Sequence, residues 1–65
     1  MGETVMYESA AGVATLTLNR PQRLNTITPE LIEDLHTALS RAWEERDVRA
    51  IRLRGAGRAF CAGYD

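Results

Sequence analysis

The sequence predicts an α/β fold in which a β-hairpin is followed by an amphipathic helix, a third strand and a glycine-rich loop. Stretches rich in β-branched and aromatic residues lie on both sides of one segment whose apolar residues recur at helical spacing. A helix between two strands is typical of a crossover connection, which favours parallel pairing of those strands. The chain has 65 residues, so these elements form at most one small domain.

The hairpin is predicted from the first part of the chain. Residues 4–8, TVMYE, mix β-branched and aromatic side chains, and residues 13–19, VATLTLN, place threonines on one face and Ala14, Leu16 and Leu18 on the other. Residues 9–12, SAAG, are turn-like, because Gly12 can adopt a positive φ.

The helix is predicted to begin at Thr28, Pro29 and Glu30. Thr28 can cap the helix, proline suits the first helical position, and an early glutamate complements the helix dipole. The expected buried stripe consists of Leu31, Leu35, Ala38, Leu39, Ala42 and Trp43, with Ile32 beside it. The expected solvated face consists of Glu30, Glu33, Asp34, Thr37, Arg41 and Glu44.

The third predicted strand, residues 48–54, lies between the helix and the glycine-rich loop of residues 55–65, GAGRAFCAGYD. Arg52 and Arg54 interrupt its apolar pattern, so either one face is exposed, or the arginines extend to solvent or pair with acids. Before the helix, the connector of residues 20–28, RPQRLNTIT, ends the second strand, because Pro21 cannot donate to a ladder.

Composition and charge exclude several classes of protein. The hydrophobic fraction of 45% and the charged fraction of 26% are ordinary for a globular domain. The net charge of −1 is too small to indicate a nucleic-acid partner. A single cysteine and a single histidine allow neither an internal disulfide nor a structural zinc site. Without a membrane-length apolar run or a secretory signal, we expect a cytoplasmic protein with no membrane partner.

The glycine loop is the strongest functional candidate. Its spacing fits neither a dinucleotide fingerprint, which needs a glycine in place of Phe60, nor a P-loop. Either it is a plain turn after a strand, or its backbone N–H groups point at an oxyanion. Cys61 is expected to be a small core residue rather than a nucleophile, because the histidine, His36, lies among solvated helical positions. Trp43 is expected in the core.

Two motifs taken together carry a resemblance to a known family. Residues 18–28, LNRPQRLNTIT, followed by a helix, a strand and GAGRAFCAGYD, resemble the enoyl-CoA hydratase/isomerase (crotonase) family over nearly the whole chain. The resemblance implies a spiral of repeated ββα turns, an acyl-CoA thioester substrate, no cofactor beyond the substrate's own coenzyme A, and a homotrimer or dimer of trimers. Residues 1–65 would be the N-terminal part of a single domain.

The resemblance also implies an oxyanion hole at the end of the glycine loop. The residue after Gly63 is Tyr64, whose backbone N–H would donate to the thioester oxygen and whose side chain would line the acyl pocket. The family usually has a smaller residue there, and the size of this side chain affects which acyl chains the pocket accepts. The family's second oxyanion donor and its catalytic carboxylates lie downstream of this loop.

Four further positions match the family's pattern around its site. Leu24, with the neighbouring Arg23, matches the connector that borders the 3′-phosphate region, and Ala62 matches a position whose carbonyl contacts the adenine. Asp65 matches a commonly acidic position at the start of the next helix, where the role is structural. From the residues alone, Arg20, Arg23 and Arg58 are either surface charges or contacts for ligand phosphates.

The function expected from the resemblance is that of a lyase or isomerase that stabilises a thioester enolate, with this chain inactive by itself. The alternative is a small non-catalytic interaction module completed by a partner chain. A phosphate or nucleotide binder that uses the basic end of the chain is a weaker third hypothesis, because the loop spacing does not fit one.

Overall fold

The architecture is a three-stranded sheet with one helix, which confirms the predicted α/β class. The computed structural model describes residues 4–58, 60–61 and 63. The elements in chain order are β1 (Val5–Ala10), β2 (Val13–Leu18), a short 3-10 helix (Pro21–Arg23), α1 (Pro29–Glu44) and β3 (Ala50–Gly55). Both β1 and β3 begin and end slightly later than the sequence predicted.

The sheet order is β1-β2-β3, so β2 is central. β1 pairs antiparallel with β2, with Tyr7 opposite Leu16, and β2 pairs parallel with β3, with Leu16 opposite Leu53. The parallel pairing expected from the crossover helix is therefore confirmed. The hairpin turn contains only Ala11 and Gly12, at φ of 53° and 83°, which matches the positive φ that two-residue hairpins need.

The core lies between the central strand and one side of α1. Thr15, on the other face of β2, is also buried. The buried apolar residues are Val5, Ala14, Leu16, Leu18, Leu31, Ala38 and Ala42.

Helix α1 begins as its sequence predicted. The hydroxyl oxygen of Thr28 accepts a hydrogen bond from the backbone N–H of Leu31 at 3.2 Å, and Pro29 occupies the first helical position. No helix among the residues that the structure describes is long and apolar enough to cross a bilayer.

Several helical positions differ from the prediction. Trp43 was expected in the core but is 87% exposed, and Leu39 is also exposed, because the narrow sheet covers only the line of α1 through Leu31, Ala38 and Ala42. Asp34 was expected on the solvated face but is buried. Its carboxylate accepts hydrogen bonds from the backbone N–H and the hydroxyl of Thr4, at 3.2 and 2.8 Å, which compensates its burial.

Strand β3 is exposed on both faces. Ile51 and Leu53 are each 44% exposed, and Arg52 and Arg54 are exposed as well. An exposed face was one of the alternatives that the sequence left open for this strand. The second face is exposed because β3 is the edge strand of the described sheet and α1 packs on β1 and β2.

Candidate functional site

The connector forms a closed, hydrogen-bonded loop. The backbone N–H of Arg20 donates to the side-chain oxygen of Asn25 at 2.7 Å, and the backbone N–H of Asn25 donates back to the carbonyl of Arg20 at 2.8 Å. Leu24 and Asn25 both lie in the left-handed region, at φ of 54° and 56°. These two conformations reverse the chain after the 3-10 helix and turn the Asn25 side chain into the protein, where it is fully buried.

The side chain of Arg20 supports the same connector. Its guanidinium Nη1 donates to the carbonyl of Thr26, and it lies 3.3 Å from the hydroxyl oxygen of Thr26. The sequence left Arg20 as either a surface charge or a contact for ligand phosphates, and these contacts show in addition that it holds the connector together.

The glycine loop is fixed to the connector at both ends. At the first end, the backbone N–H of Ala56 donates to the carbonyl of Leu18 at 2.8 Å, and the carbonyl of Ala56 accepts from the side-chain nitrogen of Asn25 at 2.9 Å. At the other end, the carbonyl of Gly63 accepts from the backbone N–H of Ile27 at 2.7 Å. The connector therefore sets the position of the loop.

A close backbone approach joins the two segments between these ends. A Cβ atom added at Gly57 would lie 2.7 Å from the Cβ of Pro21, a distance that real side chains do not tolerate. Gly63 differs, because a Cβ there would meet nothing within 4 Å. Its requirement for glycine comes from its φ of 102° alone.

The predicted site residues divide between described and undescribed positions. Arg23 is exposed and Leu24 half-buried on the connector, and the half-buried Gly63 lies near Ile27. The structure thus brings the connector and the end of the glycine loop together. The other three predicted positions lie outside the described residues: Ala62, Tyr64 and Asp65.

The remaining candidates stay apart from these contacts. Cys61 is half-buried and packs against the core cluster, as expected of a small core residue. His36 is exposed on α1, and Arg58 is exposed in the glycine loop.

Asn25 is the residue that sequence reasoning missed. It lies within the quoted motif, but its type suggested nothing beyond a turn. The available signal was that asparagine is one of the few non-glycine residues enriched at positive φ. The hydrogen bond to Ala56, 31 residues away, could not be foreseen from local pattern.

A second polar cluster joins β1 to the end of α1. The hydroxyl of Tyr7 donates to the Oε1 atom of Glu45, and the guanidinium of Arg41 lies 4.2 Å from the centre of the Tyr7 ring. The hydrogen bond to Glu45, followed by burial and the negative charge of Glu45, raises the pKa of Tyr7, while Arg41 opposes the rise. None of these contacts involves a residue of the connector, and together they join β1 to the end of α1.

Comparison with known proteins gives a consistent result. The model of the family described as "Enoyl-CoA hydratase/isomerase" matches residues 8–65. The chain is 43% identical, over its whole length, to "1,2-epoxyphenylacetyl-CoA isomerase" of Escherichia coli K12, and 45% identical over 62 residues, 95% of the chain, to a "Probable enoyl-CoA hydratase" of Rhodobacter capsulatus.

A solved structure agrees with the sequence matches. The crystal structure of an enoyl-CoA hydratase/isomerase from Mycobacterium paratuberculosis covers the whole chain with a TM-score of 0.95 and 40% sequence identity. The chain spans 26% of that structure, and it spans 25% and 23% of the two curated relatives. The matched region is therefore about a quarter of each relative.

Proposed function

The chain belongs to the enoyl-CoA hydratase/isomerase family, and from that membership we propose that it is the N-terminal part of a longer enzyme that acts on an acyl-CoA thioester. The proposed role of residues 1–65 is to supply one oxyanion donor and part of the coenzyme A contacts. The further donor and the acid–base carboxylates belong to the remaining length that the relatives have.

The chemistry of this role needs no ionisable side chain. When a thioester is converted to its enolate, the carbonyl oxygen gains negative charge, and a fixed backbone N–H donor stabilises that charge. The proposed donor is the N–H of Tyr64. Loss of one such donor typically costs about 2.7–4 kcal/mol in the reaction barrier.

The observation that carries the proposal is the hydrogen bond from the N–H of Ile27 to the carbonyl of Gly63, at 2.7 Å. The carbonyl of Gly63 and the N–H of Tyr64 belong to one peptide unit, which is planar. A bond that holds the carbonyl therefore limits the directions in which the N–H can point. The positive φ of Gly63 supports the same role, since it releases the chain from the ordinary strand direction.

Arg23 and Leu24 are the proposed contacts for the phosphate end of coenzyme A, and Ala62 is the proposed contact for its adenine. The exposed guanidinium of Arg23 supports this assignment, because a phosphate needs a cation that is open to solvent. Tyr64, which stands where the family usually has a smaller residue, is proposed to restrict the acyl chain. A homotrimer or a dimer of trimers is the proposed assembly of the complete protein.

The first test is the intact mass of the denatured protein purified from its natural source. A mass several times the 7.2 kDa of these residues is expected. The complete protein should then hydrate or isomerise an enoyl-CoA. The change in ultraviolet absorbance of the conjugated thioester measures this reaction. A complete protein that neither binds nor turns over any acyl-CoA would overturn the proposal.

A second candidate function is a non-catalytic interaction module, which the exposed apolar side chains favour. Trp43, Ile51 and Leu53 are large apolar side chains that are 87%, 44% and 44% exposed, and contiguous exposed apolar surface is typical of protein–protein interaction sites. This candidate function predicts an intact mass of 7.2 kDa and a stable complex with another chain. The mass measurement therefore separates the two.

A further inference from the structure

We propose that Asn25 is a positioning residue, whose buried side chain sets the glycine loop, and with it the oxyanion donor, relative to the connector. The inference rests on the proposed function for its catalytic consequence. Its structural part rests on contacts between residues 20–27 and 56–63.

The two ends of the Asn25 amide serve different segments. The oxygen accepts from the N–H of Arg20 within the connector, at 2.7 Å, and the nitrogen donates to the carbonyl of Ala56 in the glycine loop, at 2.9 Å. A side-chain amide can accept through its oxygen and donate through its nitrogen at the same time. Asn25 thus joins the two segments through one rigid planar group.

The position of Ala56 makes this bond consequential. Its N–H is bonded to Leu18 at the end of β2, so the carbonyl held by Asn25 is the first point at which the chain leaves the sheet. Gly57 follows, against Pro21, and the loop returns to the connector at Gly63 through Ile27. A shift of the connector relative to Ala56 would therefore change the position of one end of the loop relative to the other.

Burial makes the amide hard to replace. Asn25 is 0% exposed. Removal of its side chain takes one hydrogen bond from the N–H of Arg20 and one from the carbonyl of Ala56, and a hydrogen bond lost inside a protein is costly. Its φ of 56° adds a second constraint, because asparagine tolerates the left-handed region better than most residues.

Two variants of the complete protein separate the hydrogen bond to Ala56 from the hydrogen bond to Arg20. Asn25→Asp keeps the acceptor for Arg20 but replaces the donor to Ala56 with a carboxylate oxygen. Asn25→Gly keeps the backbone conformation and removes both bonds. The matched control is Thr4→Val, which removes the hydroxyl bond to the buried Asp34 and leaves the connector and the loop unchanged.

The expected kinetic result is a loss of kcat that exceeds the rise in KM. A misplacement of about 1 Å at a reacting group can cost on the order of a hundredfold, so we expect kcat to fall by about ten- to a hundredfold in Asn25→Asp. In this variant the fall relative to wild type should lessen as the pH is lowered, because the introduced carboxyl group, once protonated, can donate to Ala56 again. Thr4→Val should lower the melting temperature and leave kcat within about twofold, since its bond lies outside the site.

Hydrogen exchange provides a readout that needs no substrate. The amide of Ile27, which is bonded to Gly63, should exchange faster in both Asn25 variants and at the wild-type rate in Thr4→Val. Unchanged exchange at Ile27 would overturn the proposal, as would an equal loss of kcat in Thr4→Val. If Asn25→Gly does not fold, Asn25→Asp decides both readouts. A wild-type protein without acyl-CoA turnover would overturn the proposed function, and exchange at Ile27 would still decide whether Asn25 couples the two segments.

Discussion

Gly57 and Gly63 both have a positive φ, but only Gly57 is also limited by a neighbouring residue. At Gly57 the φ is 83°, and a Cβ would lie 2.7 Å from the Cβ of Pro21. At Gly63 there is open space for a Cβ, and the limit is the backbone φ of 102°. Only a substitution at Gly63 therefore perturbs the peptide before Tyr64 without also separating the loop from the 3-10 helix.

We expect Gly63→Ala to lower the free energy of unfolding by about 1–3 kcal/mol, the usual cost of an unfavourable backbone conformation. It should also lower kcat/KM for an enoyl-CoA by roughly tenfold or more, because the residue that follows carries the proposed oxyanion donor. Urea unfolding and steady-state kinetics of the complete protein measure the two effects.

The matched control for Gly63→Ala is Gly12→Ala in the hairpin turn. Gly12 has a φ of 83°, and a Cβ there would meet the carbonyl oxygen of Asp47 at an acceptable 3.4 Å. Its backbone cost should be similar, and kcat/KM should not change. Equal loss of activity in both variants would show that general destabilisation, rather than the oxyanion position, explains the effect.

Tyr7 gives a prediction for alkaline pH. The hydrogen bond to Glu45 is the largest cause that raises the pKa of Tyr7 above its ordinary value of 10.0 in the folded protein. Because the folded pKa is the higher one, the contribution of this group to stability is complete below the unfolded pKa. That contribution is lost as the pH rises through the folded pKa.

The variant that tests this is Tyr7→Phe. The difference in the free energy of unfolding between wild type and Tyr7→Phe should be largest below pH 10, about the unfolded pKa of tyrosine, and should shrink above it. Urea unfolding at a series of pH values measures it. The difference between wild type and Thr28→Ala is the control, because neither side chain at position 28 titrates. A difference for Tyr7→Phe that stays constant through the alkaline range would contradict the assignment.

At the scale of the element, helix α1 shows what sequence could and could not predict. Its start followed from Thr28 and Pro29, because capping is a local property of the chain. The exposure of Trp43 and the burial of Asp34 could not be predicted, because helical periodicity gives the direction of a side chain but not the width of the sheet. Asp34 is buried through its bonds to Thr4, 30 residues away.

The site shows the same division. The parallel pairing of β2 and β3, which places the start of the glycine loop beside the end of β2, followed from the crossover helix. The bridge from Asn25 to Ala56 depends on where two distant segments meet, so no local pattern contained it. The assignments at Ala62, Tyr64 and Asp65 stay predictions from family resemblance.

The start of α1 can be tested as an element. Thr28→Ala removes the acceptor for the N–H of Leu31, so we expect it to lower the free energy of unfolding by about 1 kcal/mol, within the range of about 0.5–2 kcal/mol for such caps. Thr28→Ser keeps a hydroxyl acceptor and should lose much less. Urea unfolding of the two variants measures the difference, and an equal loss in both would show that the methyl group of Thr28, rather than its hydroxyl, stabilises the start of the helix.

At the scale of the whole molecule, no described acid lies in the connector or in the glycine loop, and two of the described acids take part in contacts that hold the fold together. Asp34 binds Thr4, and Glu45 binds Tyr7, both away from the connector. The described residues therefore provide a scaffold for a backbone donor and no carboxylate with an evident role in proton transfer at that loop.

We accordingly expect the isolated 65-residue chain to show no hydration of an enoyl-CoA. One oxyanion donor alone cannot replace the second donor and the carboxylates that add water across the double bond. The loss of ultraviolet absorbance of the conjugated thioester measures the reaction. The control is the complete protein at the same molar concentration. Far-ultraviolet circular dichroism must first show that the isolated chain is folded, because a domain of about 60 residues is marginally stable. Hydration above the buffer rate by a folded, isolated chain would show that residues 1–65 hold the acid–base groups themselves, and the division of catalysis proposed above would then be wrong.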